Sequence, residues 1–104
     1  MANPRAGEVA VILDGTRQVM KLTLGALAEL EEALGCDSLA ALVARLEGGE
    51  VSARDVLALI VAGLRGGGWQ GRTADLMAVE IEGGPVEAAR LAALLVARAF
   101  GEAA

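Results

Sequence analysis

From residue 24 onward, leucine and other apolar residues recur at three- and four-residue steps, and each such run is stopped by glycine, at Gly35, Gly48-Gly49, Gly66-Gly67-Gly68, Gly83-Gly84 and Gly101. Apolar residues at that spacing line one face of an α-helix, and glycine after them marks its end. The chain can therefore build only short helices, which are stable in water only when their apolar stripes pack on one another. Thr23 is placed to cap a helix over LGALAELEEAL, with Leu24, Leu27, Leu30 and Leu34 on one side and Glu29, Glu31 and Glu32 on the wet side. A second helix is expected after Asp37-Ser38, carrying Leu39, Leu42, Val43 and Leu46. Ser52 with Asp55 three positions on forms a capping-box pattern, the clearest helix start in the chain. Behind it, Val56, Leu57, Leu59, Ile60, Val61 and Leu64 cover most of a helix circumference, as the central helix of a small domain requires. Thr73 can cap a short helix through Leu76, Met77 and Val79 to Ile81, and Pro85 suits the first position of a last, longest helix that runs to about Phe100.

The first part of the chain has a different period. Glu8–Leu13 and Arg17–Leu22 flank Asp14-Gly15, the dipeptide that favours a two-residue hairpin turn. A lone hairpin is marginal in water, so one of its faces must lie on the helices. The expected fold class is α+β, mainly α, with an N-terminal β-hairpin at 8–22 packed on four or five short helices at 23–101, all in one domain over 1–104. That length matches the usual size of one domain, about 100 to 150 residues. With 55% apolar residues and a mean hydropathy of +0.52, the chain is too apolar to stay disordered and implies a dense core or an oligomer.

Composition also excludes chemistry. There is no histidine and no tyrosine, so a Ser-His-Asp or Cys-His arrangement, a histidine metal ligand and an imidazole acid or base are all absent. Cys36, the single cysteine, has no intramolecular partner for a disulfide and stands beside Asp37, whose charge works against a thiolate nucleophile. No enzyme activity and no cofactor are expected. A net charge of −5, with arginines scattered along the chain, argues against nucleic acid as a partner. The longest apolar run, Val56–Leu64, falls well short of the ~20 residues a membrane span needs, and the N-terminal residues carry no signal-peptide pattern. A cytoplasmic protein that does not meet the membrane is expected.

Four features invite a functional reading. Residues 66–71, GGGWQG, satisfy the G-x-G-x-x-G spacing of dinucleotide loops, but the capping box at Ser52 specifies a helix before it, and no second strand follows the helix after it. A helix cap and loop is the simpler reading. Trp69 in that loop is either an anchor for a partner or a lid on the core. The last helix has two apolar faces, Leu91, Leu94 and Leu95 on one and Ala89, Ala92, Ala93, Val96 and Phe100 on the other, so it is either fully buried or offers a face for self-association or a partner helix. The candidate partner-binding residues are thus Trp69, Ala92, Val96 and Phe100. Glu29, Glu31, Glu32, Glu47 and Glu50 lack the spacing of an EF-hand and read as solvated helix faces rather than a metal site.

The opening ANPRAGEVAVILDG, the segment LTLGALAELEEALGCDSLAALVARLEGG and the stretch SARDVLALIVAGLRGGG resemble the small gene-transfer-agent and phage tail protein family of alphaproteobacteria, over roughly residues 3 to 100. That family carries both a tail tube and a tail assembly chaperone designation. The resemblance implies either a chaperone that holds apolar helical segments of the tape measure protein, with tail tube subunits as further partners, or a structural subunit retained in the tube or at the tail end. A chain with one hairpin and otherwise helical segments suits the chaperone better than a β-rich ring former. It also implies a cytoplasmic location, or the particle if the structural alternative holds.

Overall fold

A computed structural model describes residues 7–35, 38, 40–41, 44–45, 48 and 52–99. Strands β1 (Glu8–Leu13) and β2 (Thr16–Lys21) form an antiparallel hairpin in which Val9 faces Met20 and Leu13 faces Thr16. The turn is Asp14-Gly15, both residues with positive φ (47° and 82°), the pair of conformations that matches the twist of the flanking strands. Val9, Val11, Leu13 and Met20 point into the core, so the pleat divides the hairpin into a packed face and a wetter one.

Among the described residues, four continuous helices follow, α1 (Leu24–Leu34), α2 (Ala53–Gly66), α3 (Thr73–Met77) and α4 (Gly84–Ala99). Thr23 caps α1, its hydroxyl accepting from the Ala26 N–H at 3.1 Å, and Gly35 closes that helix in the left-handed conformation. The capping box at α2 is complete. The Ser52 hydroxyl accepts from Asp55 N–H at 3.2 Å, and the Asp55 carboxylate accepts from Ser52 N–H at 3.0 Å. Of the second expected helix, Ala40, Ala41, Ala44 and Arg45 are helical and Ser38 accepts from Ala41 N–H, while Leu39, Leu42, Val43 and Leu46 lie outside the described residues.

Helix α2 is the axis of the domain and packs against α1, β2, α3 and α4. Leu59, Ile60, Val61, Ala62 and Leu64 are all buried, a run that only a helix enclosed on several sides can hide. Leu59→Ala is expected to cost about 3 kcal/mol in urea unfolding, because it removes a side chain with no exposure and leaves a cavity.

Two local readings change. The helix expected to run from Thr73 to Ile81 stops at Met77, and Ile81 instead forms an antiparallel bridge with Leu13. Asp14 N–H donates to the Glu80 carbonyl at 2.9 Å and Glu82 N–H to that of Ile12 at 3.0 Å, so β1 takes backbone bonds that would have extended the helix. Thr73 is the first residue of α3 rather than its cap, and the Asp75 carboxylate accepts the Arg72 N–H at 2.8 Å.

Candidate functional site

The glycine loop performs a structural task. A Cβ on Gly66 would overlap the carbonyl oxygen of Lys21, and one on Gly67 that of Val19, so the end of α2 lies directly on the outer edge of β2. Only glycine permits that approach. Trp69 N–H donates to the Leu64 carbonyl at 2.9 Å, and its ring lies over Gly71, where any Cβ would strike the indole. Half-buried against the core, Trp69 acts as a lid in this arrangement rather than a freely offered anchor. As the single tryptophan it should report unfolding by a red shift of its fluorescence.

Ala92 and Val96 were expected as partner-facing, and here they need correction. They are only 2% and 9% exposed and belong to the same core cluster as Leu91 and Leu95. α4 packs on α2 and also on β1, so Leu91, Ala92, Leu95 and Val96 share one covered arc, while Ala89 and Ala93 stay exposed. Phe100 and Cys36 lie outside the described residues. On α1, Glu29 pairs with Arg65 of α2 at 3.0 Å across a wet surface, an exposed contact worth about 0 to 1 kcal/mol. Among the described residues, no cluster of three or more acidic or thiol groups could hold a metal.

What does open to solvent is a groove between α2 and α4. Ala53, Val56, Leu57 and Ile60 form one wall, at the i, i+3, i+4, i+7 spacing of a helix-packing stripe. Pro85, Ala88 and Ala89 form the other, and Leu76 and Ile81 the floor, around a volume of about 370 Å³. Close by along the chain, Met77 and Val86 are 73% and 83% exposed. Asp55, which caps α2 with the groove residue Ser52, is buried and bound by Arg45 at 2.8 Å.

The sequence matches the family described as phage tail tube protein, GTA-gp10, over residues 6–102. The chain belongs to that family. No curated protein and no solved structure matches it. Membership makes this GTA-gp10 family chain a protein of a phage-like tail, in keeping with the resemblance carried by its opening and by its leucine-rich segments. Among the described residues, no helix of this family member is long and apolar enough to cross a membrane. The α2–α4 groove escaped sequence reading, although half of its signal was in view. Ala53, Val56, Leu57 and Ile60 form a regular stripe, yet nothing local says that one side of a central helix stays open.

Proposed function

We propose that this chain serves in the tail as one of its structural subunits, in the tube or at the tail end. The family match over residues 6–102 carries that reading, since the family is described as a tail tube protein. The role needs contact surface and no catalysis, and the chain, without histidine or tyrosine, has no imidazole or phenol acid–base group.

A second reading, a tail assembly chaperone that holds apolar helical segments of the tape measure protein in the cytoplasm, is favoured by one observation. Among the described residues the sheet has two strands of six residues, and both of its outer edges meet other parts of the chain. Gly66 and Gly67 lie on β2, while Ile81 and Arg98 bind β1, Arg98 donating to the Glu8 carbonyl at 2.6 Å. Such a hairpin has little edge left for the strand-to-strand joining by which sheets extend between subunits. A chaperone would instead hold its client by apolar burial, at about 25 cal/mol per Å² less the cost of ordering both partners.

The two readings separate in one preparation. Purified particles, analysed by mass spectrometry, contain this chain in stoichiometric amounts if it is a tube subunit and at far lower amounts if it is a tail-end subunit. Absence from particles, together with rescue of tape measure protein solubility on co-expression, would replace the structural reading by the chaperone.

A further inference from the structure

We infer that the outer face of the β-hairpin is a self-complementary surface on which a second copy of this chain docks. Val9, Val11, Leu13 and Met20 point to the helices, so Glu8, Ala10 and Ile12, which alternate with them, lie on the opposite face. The register sets Lys21, Val19 and Arg17 across from these three, and residues paired across antiparallel strands share a face. The Leu13–Ile81 bridge widens that face. Its bonds, Asp14 N–H to the Glu80 carbonyl and Glu82 N–H to that of Ile12, bring Glu80 level with Asp14 and Glu82 level with Ile12. Ile12, Asp14, Gly15, Glu80 and Glu82 accordingly line one depression. One row across the face therefore reads Glu82, Ile12, Arg17, an acid and a base on either side of a half-buried isoleucine. Two strand spacings, about 10 Å, keep the two charges apart. Neither the Glu82 carboxylate nor the Arg17 guanidinium, both on exposed residues, has an ion-pair partner among the described residues. Glu80 adds to the acid flank, and Lys21, across from Glu8, adds to the basic one. Such a row selects its own copy. A two-fold axis along β1 lays Ile12 on Ile12 and sets Arg17 of each copy against Glu82 of the other, two ion pairs around an apolar centre. A two-fold axis across the strands would oppose acid to acid, so one arrangement is singled out. With both edges of the sheet taken up inside the chain, face-to-face stacking is the mode of association left to the hairpin. The face runs about 20 Å along β1 and is three segments wide, so the pair belongs to the weak class of interfaces, under about 1,200 Å² in all. The inference rests on neither reading of function, because it concerns the free chain.

The test is sedimentation equilibrium of the purified full chain at concentrations up to about 1 mM, where a reversible dimer with a dissociation constant on the order of 100 µM is expected. Arg17→Glu and Glu82→Arg, both at exposed positions, should each weaken it about tenfold or more with the thermal midpoint retained. Mixed in equal amounts, the two variants should associate with one another about as tightly as the parent does with itself, because every contact again joins an acid to a base. The chain carrying both changes has the parent's net charge of −5 and should regain self-association, which separates the contact from any effect of total charge. A parent that stays monomeric at about 1 mM would overturn the proposal. So would single variants that dimerise like the parent, or a mixture that gains nothing over its components, since the contact would then lie elsewhere. None of these outcomes depends on whether the chain is found in particles.

Discussion

Gly67→Ala is expected to lower the unfolding free energy by about 3 kcal/mol, and Gly66→Ala by a similar amount, the upper end of the range for overpacked sites. The added methyl would occupy the space of a backbone carbonyl oxygen, Val19 in the first variant and Lys21 in the second. A side chain could rotate away. A strand carbonyl moves only if β2 shifts against β1 or the end of α2 lifts from the hairpin, and either opens the core around Met20 and Leu64, neither of which has any exposure. Two neighbours calibrate the result. Gly68 has positive φ (104°) and open space around its Cβ position, so Gly68→Ala carries only conformational strain, about 1 kcal/mol. Gly71→Ala meets the Trp69 ring, which can swing outward, so fluorescence should shift while most stability remains. Urea midpoints for the four variants settle the matter. A Gly67→Ala protein as stable as the parent would mean that α2 does not end on β2.

The second large effect is expected at Asp55. Asp55→Ala should cost about 3 kcal/mol, because one buried carboxylate serves two elements and its loss removes an N-cap bond and a charge-assisted bond together. One oxygen accepts from Ser52 N–H at 3.0 Å and the other from Arg45 at 2.8 Å, and the side chain is 2% exposed. Ser52→Ala removes only the reciprocal cap and should cost about 1 kcal/mol. Arg45→Ala leaves Asp55 buried with its backbone donor alone, so the Arg45 and Asp55 single losses should sum to more than the double loss in a mutant cycle. Additive losses would show that Arg45 and Asp55 do not act as a pair. The contact between Glu87 and Arg90 is different in kind, fully at the surface. The Arg90 hydrogen bond lowers the Glu87 pKa, so whatever it contributes is complete above the ordinary carboxylate range and fades as pH falls through the lowered value.

Legibility in the sequence followed the range of the interaction. Asp14-Gly15, Thr23 and Ser52-x-x-Asp55 act on residues at most three positions away, and the turn and both caps lie where the sequence puts them. Helix α2 was legible as the core because its apolar residues cover most of its circumference. Ile81 was not, since Val79 and Ile81 suit a helix end or an extended segment equally, and only the arrival of Leu13 decides between them. The same holds for Ala92 and Val96, whose burial depends on β1 and α2 flanking one helix from two directions. Gly66 and Gly67 looked like a flexible loop because their reason for being glycine lies at Lys21 and Val19, in another element. The α2–α4 groove was unreadable for the complementary reason, as openness is a property of what the fold leaves uncovered.

The way the hairpin edges are held has a consequence for synthesis. The strands leave the ribosome well before the residues that hold their edges, since Arg98, which binds the Glu8 carbonyl, is added 90 positions after it and Ile81 only shortly before Arg98. During translation the β2 rim can be covered as soon as the end of α2 emerges, whereas β1 has neither of its partners until Ile81 and Arg98 have been added. Sealing of the β1 rim waits until the last helix is free of the exit tunnel, so slower translation would lengthen that interval without changing the finished protein.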